Sequence, residues 1–306
     1  MLEKAVAQKG GPDFICIGQQ KAGTGWLYDQ LQSHRSVWMP PIKELNFFCG
    51  NPFREKYIDW ANQHHALQDN FASKIRKRLA PILGNQQKVG TKRSAESRHP
   101  ELDARFWDIY RQAAAARLKD PNWYLSIFDI PDSLFTGDIS PGYSAASRDQ
   151  IADANRLVPV ARIILLIRNP VSRAKSAISM AIRSGRREPG FEDDWVAIYK
   201  VISGASFTQK SLATRIWSDW VSVFGEKQCR YWFMDDLIED PVATRNSILE
   251  FLGLATFEIV LPPNHNRKEN QKKVEFSPAV NDRLREFYND EISKAAGLFG
   301  GAARDW

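Results

Sequence analysis

Phe14-Ile15-Cys16-Ile17-Gly18-Gln19-Gln20-Lys21-Ala22-Gly23-Thr24-Gly25-Trp26-Leu27 is the stretch on which the fold turns. An apolar run of strand character ends at Gly18, a short glycine-bearing turn follows, and Thr24 opens a helical pattern that carries Leu27 and Leu31. Strand, turn and helix in that order bring backbone N–H groups and a helix N-terminus to one point, which is a ready site for phosphate.

The spacing inside the turn narrows the reading. A nucleoside-triphosphate loop has the form G-x-x-x-x-G-K-[ST]. Gly18 and Gly23 keep the glycine spacing, but Thr24 stands at the lysine position and the lysine lies inside the loop, at Lys21. A cation there faces the bridge between a phosphate and whatever is attached to it. That suits a phosphate leaving group better than a Mg-bound triphosphate.

A second anchor lies far downstream. Ala161-Arg162-Ile163-Ile164-Leu165-Leu166-Ile167 is a nearly continuous apolar run, the pattern of a central parallel strand buried on both faces. It delivers Arg168 at its carboxyl end, where ligands of open α/β sheets bind. Asn169 then reads as a helix N-cap with Pro170 at the first helical position, and Ser176 falls on the second turn. A guanidinium and a hydroxyl converging there make selective, charge-assisted bonds to a phosphate.

With Pro41-Ile42-Lys43-Glu44-Leu45-Asn46-Phe47-Phe48 close behind it, the first loop resembles the 5′-phosphosulfate loop of the sulfotransferases that use 3′-phosphoadenosine-5′-phosphosulfate (PAPS). The R-x-P-x-x-R-x-x-S run from Arg168 to Ser176 is similar to the 3′-phosphate motif of the same family. The likeness extends to Trp123-Tyr124, Gly137-Asp138-Ile139-Ser140-Pro141, Asp235-Asp236-Leu237 and Phe251-Leu252-Gly253-Leu254, and is strongest toward carbohydrate-type members, heparan sulfate enzymes and their bacterial relatives included. The resemblance implies direct transfer of a sulfuryl group to an acceptor hydroxyl or amine, without a metal, leaving adenosine 3′,5′-bisphosphate. It assigns Lys21 to the departing phosphate, Ala22, Gly23, Thr24, Gly25 and Trp26 to the 5′-phosphate loop, and Arg168 and Ser176 to the 3′-phosphate. Arg267 and Lys268 fall where the family closes a loop over that phosphate, and Glu44 matches the catalytic base of the heparan-type enzymes, with Lys43 a neighbouring cation.

The chain departs from the family pattern at three places. Gly25 replaces a second hydroxyl, Asn46 a common histidine, and Ile139 a substrate-facing lysine. The last weakens the case for a heavily anionic glycosaminoglycan acceptor. Asp138 reads as a structural turn carboxylate, with help in proton handling as the competing reading. Two other readings compete with sulfuryl transfer. A small-molecule kinase is disfavoured by Thr24 at the lysine position, and a non-catalytic nucleotide-binding module by the retention of both Lys21 and Glu44.

The rest of the chain sets the frame. Its 306 residues, 43% hydrophobic and 25% charged, are enough for a substantial globular core. A net charge of +6 favours anionic ligands but is too mild to argue for nucleic acid. Three scattered cysteines without a C-x-x-C, and no apolar signal core in Met1 to Gly11, predict a reduced, cytoplasmic setting.

Strands alternating with helices predict an α/β, P-loop-like, doubly wound parallel sheet in a single domain spanning 1–306. Residues 51–122 read as a helical insertion covering the acceptor side, with a basic run at 74–78 that reads as a solvated face. Val37 to Met39 reads as a short second strand stopped by Pro40-Pro41, and Trp123–Phe128 and Leu134–Ile139 as the return to the core. Helices are expected at 148–157, 170–184, within 191–224, at 241–252 and 278–296, with a strand at 229–234. The acceptor, a glycan or a small-molecule metabolite, is expected to meet the insertion and the 185–210 region.

Overall fold

The computed structural model describes residues 10–64, 98–117, 119–256, 259, 261–262 and 274–306. Four parallel strands form its sheet: β1 (Phe14–Gly18), β2 (Gly137–Ile139), β3 (Arg162–Ile167) and β4 (Cys229–Phe233), in the order β2-β1-β3-β4. The chain leaves β1 for one neighbour, β2, and then crosses to the other, β3. That reversal next to β1 is the topological switch point at which open sheets of this kind bind ligands.

Side chains alternate across the strands, as a pleat requires. Ile15, Ile17, Ile163, Leu165 and Ile167 face one apolar cluster, and Phe14, Cys16, Ile164 and Leu166 face another. The first cluster receives α3 (Pro100–Ala116), α4 (Pro121–Ile127), α5 (Arg148–Leu157) and α9 (Ala213–Phe224). The second receives α1 (Thr24–Gln32) and α11 (Pro241–Leu252). With helices on both faces the sheet is doubly wound. A third cluster joins α6 (Pro170–Arg183), α7 (Trp195–Ile202) and α12 (Pro278–Phe299). Between these run α2 (55–64), α8 (Ala205–Gln209) and α10 (Met234–Glu239). Among the described residues no helix is long and apolar enough to cross a membrane.

Local chemistry sets the boundaries. The Asn169 side chain accepts the Ser172 N–H at 3.1 Å and Pro170 opens α6. Ser147 and Gln150 form a reciprocal capping box on α5, and Gly253 ends α11 in the left-handed conformation. Arg162, the one charge within the apolar β3 run, donates to the Leu252 carbonyl at 2.6 Å, so its guanidinium stands at the negative end of α11.

Trp123–Phe128 returns the chain to the core as expected, and does so as a helix: the Asp120 carboxylate caps the Trp123 N–H at 2.9 Å, Pro121 opens the first turn, and α4 follows. One sequence expectation changes. Val37 to Met39 makes only a single parallel bridge, Val37 to Phe135. Pro40 and Pro41 have no N–H to continue the ladder.

Gly137 starts β2 opposite Phe14, and a Cβ there would overlap the Phe14 ring. Gly137→Ala should therefore destabilise the fold by about 2–3 kcal/mol through overpacking, read as a lowered denaturation midpoint at unchanged m-value.

Candidate active site at the carboxyl edge of the sheet

Gln19 ties the loop after β1 to the rest of the edge. Its N–H donates to the Leu166 carbonyl at 2.7 Å, its side-chain oxygen accepts the Arg168 N–H at 3.1 Å, and its side-chain NH₂ donates to the Ser211 carbonyl at 3.1 Å. The residue is fully buried, so every polar atom placed this way avoids an unpaired desolvation cost. One amide thus fixes the ends of β1 and β3 and the approach to α9 relative to one another.

Beyond it the chain turns tightly. Lys21 has φ 78° and Gly23 φ 92°, both left-handed. Gly23 is the N-cap of α1 and has no side chain with which to cap it. A Cβ on Gly25 would meet nothing within 4 Å, so open space lies beside that helix start. Ala22 is buried and its N–H turns inward to the Gln19 carbonyl at 3.2 Å; Trp26 packs into the core beside Leu27.

Cations gather on this turn. Arg168 Nη1 donates to the Lys21 carbonyl at 2.8 Å, which joins the two sequence motifs directly. Burial pulls the Arg168 guanidinium below its ordinary pKa, opposed by the charge of Asp235. Lys21 Nζ lies 3.5 Å from Met180 Sδ on α6, one turn beyond the half-buried Ser176. Lys43 Nζ donates to Thr24 Oγ1 at 3.0 Å and so docks the following segment onto the loop.

That segment carries Glu44. Its backbone sits at φ 73° and that of Asn46 at φ 52°, an uncommon conformation that is held by neighbours rather than by preference. The Glu44 N–H donates to the Ile139 carbonyl at 3.0 Å, and Asn46 Nδ2 donates to the Glu44 carbonyl at 2.8 Å. The Glu44 carboxylate remains partly exposed and meets Arg54 Nη1 at 3.2 Å. Behind it Asp138 is sealed from solvent among Tyr124, Ser140 and Tyr143.

Next to the turn lies a cavity of about 360 Å³ lined by Gln20, Arg173, Phe207 and Lys210 among others. Arg173 is buried, donates to Ser211 Oγ and stacks its guanidinium over the Phe207 ring at 4.5 Å. Burial lowers its pKa to about 10. The arrangement as a whole offers N–H groups and cations for a multiply charged phosphate ester, a reachable carboxylate, and a neighbouring cavity for a second molecule.

A profile of the sulfotransferase family matches residues 12–258. The chain belongs to the sulfotransferase family. Carbohydrate sulfotransferase 15 of Homo sapiens is 22% identical, the match covering 96% of this chain and 54% of that protein. Its Mus musculus counterpart is also 22% identical over the same shares. The chain thus spans about half the length of the curated relatives it matches.

Among solved structures, a sulfotransferase from Alicyclobacillus acidocaldarius superposes with a TM-score of 0.60 at 20% identity, covering 94% of this chain and 95% of its own. The sulfotransferase domain of the Synechococcus PCC 7002 olefin synthase gives 0.53 at 17% identity, covering 97% and 98%. These likenesses bear on the fold, and agree with a P-loop-like parallel α/β sheet.

Of the residues singled out in the sequence, Lys21, Ala22, Gly23, Thr24, Gly25, Trp26, Glu44, Arg168 and Ser176 lie on this edge or on the helices leaving it. Arg267, Lys268 and the 74–78 basic run lie outside the described residues. Gln19 and Arg54 were not singled out. Gln19 is a polar residue at a strand end whose partners are 149 and 192 residues away, beyond any local pattern. Arg54 stands ten residues from Glu44 with no motif spacing to mark it.

Proposed function

We propose that this sulfotransferase takes its sulfuryl group from PAPS and passes it to a hydroxyl or amine of an acceptor by direct in-line displacement. The observation that carries this reading is the joining of the two phosphate motifs: the Arg168 guanidinium is bonded to the carbonyl of Lys21. A donor with phosphates at both ends needs both groups at one place.

The residues present fit such a donor. The uncapped start of α1, the open space beside Gly25, and Lys21, Lys43 and Arg168 together form an anion cradle. The donor, when bound, supplies an activated sulfuryl group on a phosphate leaving group. Lys21 neutralises charge on that phosphate, the α1 N–H groups and Thr24 hold it, and Arg168 with Ser176 holds the 3′-phosphate. Glu44 accepts the acceptor's proton. The cavity beside Gln20 is assigned to the acceptor side, where Arg173 and Lys210 favour an acceptor with an anionic group nearby. The 51–122 stretch is the proposed cover over the acceptor within a single domain.

Calorimetric titration with adenosine 3′,5′-bisphosphate, 5′-AMP and ADP in EDTA tests the donor. The bisphosphate should bind well ahead of the other two, and Arg168→Ala should weaken it by about 10–100-fold, the worth of a charge-assisted hydrogen bond. Equal binding of ADP, or a requirement for Mg²⁺, would return the site to the kinase reading.

A further inference from the structure

The buried carboxylate behind Glu44 has a geometry that a plain turn residue does not need. Asp138 Oδ1 accepts from Ser140 Oγ at 2.6 Å, and Oδ2 accepts from Tyr143 OH at 2.6 Å and Tyr124 OH at 3.1 Å. The two nearer hydroxyls have a second task. Ser140 Oγ accepts the Asn46 N–H at 3.0 Å, and Tyr143 OH accepts the Phe47 N–H at 2.9 Å.

A hydroxyl has a single proton. An amide N–H can only donate, so each hydroxyl oxygen must turn a lone pair to the loop and its proton to Asp138. The whole relay is dry: Asp138, Ser140, Tyr124 and Tyr143 are each at most 1% exposed, and Asn46 4%. No solvent can substitute for a missing partner there.

We propose that Asp138 is a positioning residue: as a carboxylate it orients the Ser140 and Tyr143 hydroxyls to grip the Asn46 and Phe47 N–H groups, and so fixes the strained loop that presents Glu44. The link to catalysis rests on Glu44 being the proposed base. The grip itself does not.

The loop needs such a grip because Glu44 and Asn46 both occupy left-handed backbone conformations, which persist only where the surroundings over-determine them. The relay also makes the loop sensitive to protonation. Burial is the largest cause raising the Asp138 pKa, to about 6; the Ser140, Tyr143 and Tyr124 hydroxyls hold it down and the Glu44 charge pushes it up. The other titratable groups facing it are the Cys16 and Cys49 thiols, pushed by burial to about 12 and about 11, and the two tyrosines, pushed well above 10. All four are therefore neutral across the relevant range. Above about 6 Asp138 is ionised and all three hydroxyl protons have an acceptor. Below it the carboxyl must itself donate to one hydroxyl, and that hydroxyl's own proton loses its partner. An asparagine has the same defect at every pH, whichever way its amide is turned.

Hydrogen exchange read by mass spectrometry on the full chain tests this without any acceptor. Wild type, Asp138→Asn and Tyr143→Phe are compared at pH 7.5 and 5.5, with rates corrected for intrinsic exchange. Protection of the 45–48 amides should fall at least about tenfold in both variants at pH 7.5. Whatever pH dependence wild-type protection shows between 7.5 and 5.5 should vanish in Asp138→Asn, which has no carboxyl to titrate. Adenosine 3′,5′-bisphosphate binding and protection of α1 should stay within about twofold. Wild-type protection at 45–48 in Asp138→Asn overturns the proposal, and so does a loss spread evenly over α4, β2 and α1. If protection falls as expected while Glu44→Gln keeps full turnover, the relay stands and it is the assignment of Glu44 that fails.

Discussion

Replacing Lys21 with alanine should, under the proposed mechanism, lower kcat for sulfuryl transfer by about 10²–10³-fold, the usual loss when one preorganised group facing developing charge is removed. The donor KM should change far less. A lysine that meets the phosphate more strongly as the sulfuryl bond breaks contributes to the transition state and little to ground-state binding. The position favours this division. Lys21 follows the buried Gln19 staple within a turn whose carbonyl is held by Arg168, and its ammonium reaches Met180 Sδ on the helix that carries Ser176. The backbone at φ 78° is no better suited to lysine than to alanine, so folding should be nearly unaffected. Lys21→Met preserves side-chain length and should lose as much turnover as alanine. Recovery of wild-type kcat in Lys21→Met would show that the side chain acts by shape and not by charge. Steady-state kinetics at saturating donor, alongside calorimetry with the bisphosphate, separates the two effects.

How far the sequence foretold this site depends on the range of each interaction. The β3 run, the Asn169 cap with Pro170, the start of α1 at Thr24 and the stop at Gly253 follow from local chemistry, and the structure has each where its residues predict it. Trp123–Phe128 was legible as a return to the core but not as a helix, because the helix signals, the Asp120 cap and Pro121, lie just outside that window. Arg173 was visible as part of the motif, but its partners Phe207 and Ser211 lie on α8 and in the turn that follows it. Asp138, Ser140 and Tyr143 are close in sequence, yet what makes them a relay is the arrival of Asn46 and Phe47 from another part of the chain. Periodicity places elements. Function at this edge comes from contacts between their ends, and those require the folded chain.

Two carboxylates stand near each other on this edge, and their surroundings sort their tasks. Asp138 is sealed beneath three hydroxyls and has no path to an incoming acceptor. Glu44 keeps a side-chain exposure of 27% and pairs with Arg54, itself 38% exposed, at 3.2 Å. A pair so open to water contributes at most about 1 kcal/mol to stability, so a partner change at this site should leave the fold intact. Glu44→Gln keeps the volume and one acceptor oxygen but cannot take up a proton. Under the proposed mechanism it should reduce kcat by about 10²–10⁴-fold, the contribution of a positioned general base, with bisphosphate affinity unchanged within about twofold and thermal stability near wild type. Turnover above half the wild-type value would remove Glu44 as the base. A loss of bisphosphate binding in parallel with turnover would instead place Glu44 in the donor cradle, through the Lys43 contact to Thr24 that anchors its segment. The same loss of turnover with binding preserved leaves proton removal as the step that failed, because the groups that hold the donor's phosphates are all still in place.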